Sequence, residues 1–276
     1  MSLSSSSRTL AAVVARLRAA GCVYAEDEAQ LIFSAARTPR DLDDLVDRRV
    51  AGLPLEHVLG WAEFCGLRIV VDPGVFVPRR RTSFLVDEAA TIARTGIKSR
   101  DRAAVRPDVV VVDLCCGTGA VGTALAAAVR RVELHAADID PAAVRCARRN
   151  VMPAGGHVYE GDLYAPLPSS LRGRVDILVA NAPYVPTEAI GLMPPEARLH
   201  EARVALDGGA DGLDVQRRVV AAAPRWLAPG GHLLVETSER QAPQTVEIFH
   251  RHGFGARVAR SDALDATVVV GAAPSR

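Results

Sequence analysis

The sequence predicts an α/β fold in which an open, mostly parallel β-sheet carries helices on both faces. Three observations support this prediction. Short apolar runs alternate with helical patterns from Asp108 to the C-terminus, a glycine-rich turn follows the first run, and acidic residues stand where the next runs end. Alternating strands and helices favour a parallel sheet, whose ligands bind outside the carboxyl ends of the strands. A functional site is therefore expected at that edge of the sheet.

The elements of the predicted sheet can be placed in order along the chain. The predicted strands are residues 109–114, 132–137, 157–160, 175–180, 232–236 and 267–270. The predicted helices are residues 82–93, 121–129, 141–150, 215–226 and 242–252. Asp140 followed by Pro141 marks the start of one helix, since a capping side chain before proline is typical of a helix N-terminus.

The N-terminal part of the chain has a different pattern. Residues 9–52 show apolar side chains at helical spacing, with Gly21 as a helix stop and Asp41 as a helix start. Two short β-like runs, 67–71 and 75–77, are separated by a turn sequence and predict a β-hairpin. The predicted organisation is a small helical domain at 1–56, a β-hairpin linker at 57–80 and an α/β domain at 81–276.

Composition narrows the function classes. An apolar fraction of 49% over 276 residues is that of a globular protein, and a net charge of +1 gives no strong field toward nucleic acid or a membrane. No early apolar segment has the length of a signal sequence or a membrane span. An odd number of cysteines without paired zinc spacing predicts neither a disulfide framework nor a metal site, and a reducing cytoplasm is expected. These cysteines are Cys22, Cys65, Cys115, Cys116 and Cys146.

The tetrapeptide Asn181-Ala182-Pro183-Tyr184 directly follows the predicted buried strand at 175–180. An asparagine carbonyl and a neighbouring backbone carbonyl can together accept both hydrogens of a planar NH2 group. An enzyme that uses an amide or amino nitrogen as its nucleophile needs such a pair. Asn-x-Pro sequences also occur in ordinary turns, so the tetrapeptide gains meaning only from what lies upstream.

A glycine-rich turn after the first strand is the upstream candidate. Glycines there let a ligand approach the backbone and the following helix N-terminus. The turn has neither the G-x-G-x-x-G nor the G-x-x-x-x-G-K-[ST] pattern of phosphate binders. An acidic residue ahead of a single G-x-G suits a cationic ligand, although an ordinary β–α turn is the alternative. The candidate binding residues are Asp113, Cys115, Cys116, Gly117, Thr118 and Gly119.

Acidic residues also stand at the ends of the second and third strands. Asp138, with Ile139 beside it, can accept hydrogen bonds from two ribose hydroxyls. Asp162, with Leu163, can accept from an adenine NH2 group. Each acid alone can be a helix cap or a turn residue. Together, and followed by Asn181, they fit S-adenosylmethionine, with its ammonium group near Asp113 and its methyl group facing Asn181.

With these residues in view, the chain resembles the protein-(glutamine-N5) methyltransferases, the HemK-like family that modifies release factors and ribosomal proteins. The resemblance runs from about residue 53 to the C-terminus. Its most specific parts are the tetrapeptide and the Asp-Gly-Gly stretch within residues 206–214. The other matching segments are residues 54–60, 62–67, 77–79, 113–120, 138–141, 161–163 and 229–231.

The resemblance implies a Rossmann-like methyltransferase domain with S-adenosyl-L-methionine as its cofactor. It also implies methyl transfer to the side-chain amide nitrogen (N5) of a glutamine in a protein substrate, such as a peptide chain release factor or a ribosomal protein. In the family, the helical N-terminal domain helps to choose that substrate. No membrane partner is expected.

Three departures from the family pattern affect this expectation. Ala182 stands where the tetrapeptide usually has proline, and Cys115 stands where the cofactor loop usually has glycine. Residues 80–83, Arg-Arg-Thr-Ser, replace a stretch that is usually partly acidic. The last change predicts a strongly basic face near the hairpin.

The tetrapeptide predicts a mechanism of positioning. Asn181 Oδ1 and the backbone oxygen of Ala182 would orient the substrate NH2 group and favour the charge that develops on nitrogen. Replacing proline by Ala182 keeps that oxygen and loses only stiffness. Tyr184 would pack beside the substrate amide. No dedicated general base stands out, and Glu201 in the following loop is interpreted as a solvated side chain.

Three other readings stay open at this point. An amino-methyltransferase acting on adenine or guanine uses a similar motif, with the aromatic residue stacked on an extruded base. Near-neutral charge argues against it, while residues 79–81 and 98–106 can form a local basic patch. The second reading is a cofactor-binding relative that has lost its chemistry. The third is an enzyme that methylates a small-molecule or peptide amide.

Overall fold

The computed structural model of the chain describes residues 3–99 and 109–274. Its strands are β1 Trp61–Phe64, β2 Leu67–Val70, β3 Val109–Leu114, β4 Val132–Asp138, β5 His157–Glu160, β6 Val175–Ala180, β7 Leu227–Thr237, β8 Gly255–Ser261 and β9 Ala266–Ala272. Its α-helices are α1 Leu3–Ala19, α2 Ala25–Ala35, α3 Pro39–Val50, α4 Leu55–Leu59, α5 Ser83–Ser99, α6 Ala120–Ala128, α7 Pro141–Val151, α8 Pro195–His200, α9 Asp214–Ala222 and α10 Ala242–Arg251.

Seven of the strands in the described residues form one sheet in the order β5–β4–β3–β6–β7–β9–β8. The strands from β5 to β7 run parallel, and β9 is antiparallel to both β7 and β8. The predicted α/β fold with a mostly parallel sheet is confirmed. The edge strand β8 was not predicted, because its exposed and polar positions lack the apolar run that marks the central strands.

Helices cover both faces of this sheet, as the sequence predicts. Along β3, Val109 and Val111 pack on one side with helices α5, α6 and α7, while Val110 and Val112 pack on the other side with α9 and α10. Side chains alternate between the faces of a strand, so a strand that is apolar on both faces must be covered on both. β3 is such a strand and lies at the centre of the core.

The hairpin has different strands from those predicted. β1 pairs antiparallel with β2 across a two-residue turn at Cys65 and Gly66, which have φ angles of 51° and 73°. Left-handed conformations at both residues match the twist of a tight hairpin. Residues 75–77 therefore do not pair with β2. Val75 and Val77 are buried instead, which explains their strand-like pattern.

The N-terminal helices α1, α2 and α3 pack around a small apolar core that includes Leu17, Ile32 and Val46. Helix α3 begins at Pro39, two residues before the predicted start, because Thr38 and Asp41 form a capping box. The Thr38 hydroxyl accepts from the Asp41 amide at 3.1 Å, and the Asp41 carboxylate accepts from the Thr38 amide at 3.2 Å.

The strand order places a crevice at the carboxyl ends of three neighbouring strands. The chain adds β4 and then β5 on one side of β3, and it adds β6 on the other side of β3. The strand order therefore reverses at β3. Ligands of open α/β sheets bind at such a switch point.

Most of the basic stretch at 98–106 lies outside the described residues.

No helix in the described part of the chain combines the length and the apolar character that crossing a membrane requires.

Candidate functional site

A cleft at the carboxyl ends of β3, β4 and β6 brings the predicted site residues together. The predicted residues that line it are Asp113, Cys115, Cys116, Gly117, Thr118, Asp138, Ile139, Asp162, Leu163, Asn181, Ala182, Pro183 and Tyr184. Gly119 lies outside the lining and faces α7, where an added Cβ atom would lie 2.5 Å from Cγ2 of Val151. Its small size permits the close packing of α6 on α7.

The turn after β3 has an unusual backbone at Cys115. This residue has a φ angle of 54°, as does Gly117, and Gly119 has a φ angle of 74°. The left-handed region is free of strain for glycine and unfavourable for a residue with a Cβ atom. Cys115 thus occupies a conformation that suits glycine. This agrees with the sequence analysis, in which the cofactor loop of the similar family usually has glycine at this position.

Asp113 is a buried acid at the edge of the cleft. Its side chain lines the cleft although the residue is only 2% exposed, and Oδ2 accepts a hydrogen bond from the Gly122 amide at 2.8 Å. Burial raises the pKa of Asp113 to about 7, although the bond from Gly122 works against this rise. No cationic side chain of the described residues pairs with it. An incoming ammonium group would meet an acid that has no cationic partner among the described residues.

Asp138 is held by backbone amides on both carboxylate oxygens. Oδ2 accepts from the Gly117 amide at 2.8 Å, and Oδ1 accepts from the Asp140 amide at 2.9 Å. Burial raises the pKa of Asp138, while these amides act in the opposite direction. Each oxygen keeps a second lone pair that can accept from a ligand hydroxyl. Ile139 beside it is 51% exposed and offers an apolar surface to a flat ring.

Asp162 has a partner that the sequence did not reveal. Nη2 of Arg218, in α9, lies 2.5 Å from Oδ2 of Asp162, and Arg218 also lines the cleft. Leu163 beside Asp162 has a φ angle of 49°. A ligand amino group at Asp162 would therefore share the carboxylate with a guanidinium group.

The tetrapeptide after β6 brings two carbonyl groups, of Asn181 and Ala182, to the cleft. Asn181 donates a hydrogen bond from Nδ2 to Oγ1 of Thr82, at 3.4 Å. Within the described residues, no donor bonds to Asn181 Oδ1 or to the backbone oxygen of Ala182. These two oxygens belong to adjacent residues that line the same cleft. Such a pair can accept two hydrogens from one NH2 group.

The Asp-Gly-Gly stretch supports the backbone of the tetrapeptide. A Cβ atom at Gly208 would lie 2.7 Å from the carbonyl oxygen of Pro183, and one at Gly212 would collide with the carbonyl oxygen of Tyr184. Nε2 of Gln241 donates to this Tyr184 oxygen at 3.0 Å. Only glycine permits such an approach. The sequence analysis identified this stretch and the tetrapeptide as the most specific motifs. In the structure the two motifs lie against each other, and the glycines permit this contact.

Buried acids neutralise two of the three arginines that follow the hairpin. Arg79 pairs with Glu201 at 2.6 Å, and Arg81 pairs with Glu236 at 3.5 Å. The prediction of a strongly basic face is therefore wrong for these two residues. The interpretation of Glu201 as solvated is also wrong, since its side chain is fully buried. These acids lie more than 100 positions away in the sequence, so no local pattern reveals the pairs.

Tyr184 belongs to the same group of side chains. Its hydroxyl accepts from Nη2 of Arg81 at 2.8 Å and donates to Oε1 of Glu236 at 3.5 Å. Burial raises the pKa of Tyr184 to about 12 and also raises the pKa of Glu236. Oε2 of Glu236 has no hydrogen-bond partner in the described structure. Tyr184 is thus held as a neutral phenol at the end of the cleft.

The loop after the tetrapeptide is tied to the N-terminal helices. Glu196 at the start of α8 accepts from Nη1 of Arg49 at 2.6 Å, and the Arg49 side chain is only 7% exposed. Glu28 of α2 accepts from the same guanidinium at 2.6 Å. One buried arginine therefore connects the helical bundle with the loop that borders the cleft.

Comparison with known proteins places these features in a family. Residues 66–212 match the family described as Methyltransferase small domain. The chain is 40% identical over 212 residues to the release factor glutamine methyltransferase of Geobacter sulfurreducens, covering 76% of this chain and 69% of that one. It is 38% identical over 210 residues to the 4-amino-L-phenylalanine/4-methylamino-L-phenylalanine methyltransferase of Streptomyces pristinaespiralis, covering 75% and 69%.

A solved structure shows the same fold. The 16S rRNA N2 G1207 methyltransferase of T. thermophilus, determined with AdoMet and guanosine, superposes with a TM-score of 0.52 at 19% identity. The superposition covers 77% of this chain and 49% of that one. Identity at this level speaks for the fold alone.

Proposed function

Since the chain belongs to the release factor glutamine methyltransferase family, we propose that it methylates the side-chain amide nitrogen (N5) of a glutamine in a peptide chain release factor. The enzyme is an S-adenosylmethionine-dependent methyltransferase. The observation that carries the choice of acceptor is the pair of free carbonyl oxygens on Asn181 and Ala182, which fits a planar NH2 group.

The cofactor half of the proposed site lies on β3, β4 and the turn after β5. Asp113 would pair with the ammonium group of S-adenosylmethionine, because it is a buried acid that no cation in the described part of the chain contacts. Asp138 would accept from the ribose hydroxyls. Ile139, Asp162 and Leu163 would surround the adenine ring. When bound, the cofactor supplies an activated methyl group on a positively charged sulfur.

The acceptor half of the proposed site consists of the tetrapeptide and its surroundings. An amide nitrogen is a weak nucleophile because its lone pair is delocalised into the carbonyl group. Asn181 Oδ1 and the Ala182 oxygen would hold both N–H bonds and stabilise the positive charge that grows on nitrogen. Their fixed positions would also aim the nitrogen along the line of methyl transfer. Tyr184, held by Arg81, would close the acceptor end.

The proposed organisation of the chain follows from these two halves. Residues 1–56 would form the substrate-recognition domain, 57–80 the hairpin linker and 81–276 the catalytic domain. The contact of Arg49 with Glu196 supports a role of residues 1–56 in substrate recognition, because it joins the helical bundle to the loop beside the acceptor end. We place the enzyme in the cytoplasm, where its free cysteines suit a reducing environment.

A purified release factor tests this function. The enzyme is incubated with methyl-labelled S-adenosylmethionine and unmethylated release factor, and the label is located by fragmentation in a mass spectrometer. We expect label on one glutamine side chain. A release factor with that glutamine changed to asparagine is the matched control, because it keeps the NH2 group but places it one methylene shorter.

Parallel reactions separate the other acceptors that an NH2-binding pair can serve. Ribosomal RNA, duplex DNA and free 4-aminophenylalanine are offered under the same conditions. Transfer to one of these acceptors, with none to the release factor, would replace glutamine as the proposed substrate.

A further inference from the structure

Residues 190–200, in the loop that follows the tetrapeptide, bury little of their surface. Of these residues only Ala197 is buried. Two large apolar side chains are exposed instead, Leu192 by 88% and Leu199 by 66%. Exposed apolar side chains beside a binding cleft are typical of a surface that another molecule covers.

Other parts of the chain fix the loop on both sides of this segment. Before it, the Thr187 amide donates to the carbonyl oxygen of Gly209 at 2.9 Å, and the Thr187 hydroxyl donates to Oδ1 of Asp207 at 2.6 Å. After it, Oε1 of Glu201 accepts from the Val77 amide at 3.1 Å. None of these bonds involves residues 190–200.

Arg49 holds the middle of the loop. Among the described residues, the hydrogen bonds of residues 190–200 are local, apart from the one that Glu196 accepts from Nη1 of Arg49 at 2.6 Å. The guanidinium of Arg49 is itself fixed within the N-terminal domain. Its Nε donates to Glu28 at 2.6 Å, and Nη1 also donates to the carbonyl oxygen of Leu53 at 3.0 Å. The position of the segment therefore depends on the helical bundle.

The segment is continuous with the acceptor end of the cleft. Met193 lines the same cleft as Asn181 and Ala182. A glutamine side chain is short, so a polypeptide whose amide reaches these two residues has to lie across the mouth of the cleft, beside the segment. One acid and one arginine leave residues 190–200 without net charge, which does not favour a phosphate backbone. Exposed leucines favour an apolar protein surface.

We propose that residues 190–200 form a docking segment for the acceptor protein. Leu192 and Leu199 contact the polypeptide around the acceptor glutamine, and Arg49 holds the segment in place through Glu196. The proposal rests on the proposed function, because it requires that the acceptor is a protein.

A first experiment tests the apolar contact. The double variant Leu192→Gln/Leu199→Gln replaces both leucines by polar side chains of similar length. Met152→Gln is the matched control, since Met152 is 60% exposed and follows α7, roughly 16 Å along the helix from the end that borders the cleft. Steady-state kinetics use purified, unmethylated release factor as the acceptor, and calorimetry measures the Kd of S-adenosylmethionine.

We expect KM for the release factor to rise about tenfold in the double variant, as the loss of apolar anchors from an interface predicts. The values of kcat and of the cofactor Kd should stay unchanged, because neither leucine lines the cleft. Met152→Gln should leave all three values unchanged. The same KM in the double variant and in Met152→Gln would overturn the docking segment.

A second experiment tests the role of Arg49 without any acceptor. Hydrogen exchange followed by mass spectrometry compares Glu196→Ala with Glu188→Ala, whose exposed acid precedes the segment. The amides of α8 should exchange about tenfold faster in Glu196→Ala, the size expected for losing a hydrogen bond between charged groups, and should be unchanged in Glu188→Ala. Unchanged exchange in Glu196→Ala would show that Arg49 does not hold the segment.

The two proposals can fail separately. If the methyl label appears on a different protein, the release factor is wrong as the substrate, and that protein takes its place in the KM comparison. If the release factor is methylated and the double variant keeps its KM, the docking segment fails alone. Label on nucleic acid or a small molecule, with none on protein, would contradict both.

Discussion

The guanidinium of Arg81 donates a hydrogen bond to the phenol oxygen of Tyr184, with 2.8 Å between Nη2 and Oη. The same guanidinium pairs with the buried carboxylate of Glu236. This contact joins the segment after the hairpin to the tetrapeptide after β6, 103 positions further along the chain. The arginine stretch that separates this chain from the usual family pattern thus lies at the acceptor end of the cleft and takes part in holding it.

Asp138→Ala is expected to weaken cofactor binding by about ten- to a hundredfold, the range for losing hydrogen bonds to a charged group. The change removes both the acceptor proposed for the ribose and the support of the Gly117 amide. Calorimetric titration with S-adenosylmethionine measures the affinity. Asp47→Ala on the exposed side of α3 is the control and should bind normally. Equal affinity in the two variants would exclude Asp138 from the cofactor site.

Asp113 predicts a pH dependence of stability in the cofactor-free protein. Its pKa rises from 3.8 to about 7 on folding, so between these values the folded chain keeps a proton that the unfolded chain has released. The resulting stabilisation is present below the unfolded pKa and is lost as the pH rises to about 7. Asp113→Asn lacks this titration. The free energy of unfolding, measured with urea, is compared between the two proteins at each pH. Relative to the parent protein, the variant should be more stable at about pH 8 than at about pH 5. A difference that does not change with pH would contradict the raised pKa.

Cys115→Gly is expected to increase the free energy of unfolding by about 0.5–1 kcal/mol, because it removes a Cβ atom from a left-handed conformation. Cys116→Gly is the matched control. This neighbour has an ordinary φ angle and is buried, so the same change should cost about 1 kcal/mol or more. Urea denaturation of both variants measures the two effects. Destabilisation of the same size in both would show that Cys115 is not strained.

Ala182→Pro restores the usual family residue and is expected to leave kcat within roughly twofold, because both residues offer the same backbone oxygen. The Ala182 amide makes no hydrogen bond to the described residues, so proline would lose none. Ala182→Gly also keeps the oxygen but loosens the backbone, and should lower kcat several-fold. Steady-state kinetics compare the three enzymes. A tenfold loss in the proline variant would mean that the carbonyl alone does not account for this position.

The sequence was informative where chemistry follows a strand directly. Asp113, Asp138 and Asn181 stand at the ends of apolar runs, and parallel strands carry their carboxyl ends to one edge of the sheet. Their convergence on one cleft could be predicted once the runs were recognised. The second strand of the hairpin was predicted wrongly, because the buried residues Val75 and Val77 give the alternating apolar pattern of a strand without forming one.

Partners that come from distant parts of the chain leave no local pattern. Arg218 reaches Asp162 across 56 positions, and Thr82 reaches Asn181 across 99. Arginine is common in helices and threonine is common in turns, so neither Arg218 nor Thr82 stands out in the sequence. Only the packing of α5 and α9 against the sheet brings them to the cleft, so their roles depend on tertiary structure.

The most direct test of the central claim compares the unmodified enzyme with Asn181→Ala on the same protein extract. Both enzymes receive methyl-labelled S-adenosylmethionine, and mass spectrometry identifies every labelled species, while calorimetry confirms that both bind the cofactor. We predict a single methyl group on a glutamine side chain of a release factor with the unmodified enzyme. With Asn181→Ala, labelling should fall by about a hundredfold or more at unchanged cofactor affinity, the size expected when a group that stabilises transition-state charge is lost. Label on nucleic acid alone, or glutamine methylation undiminished in the variant, would contradict the account.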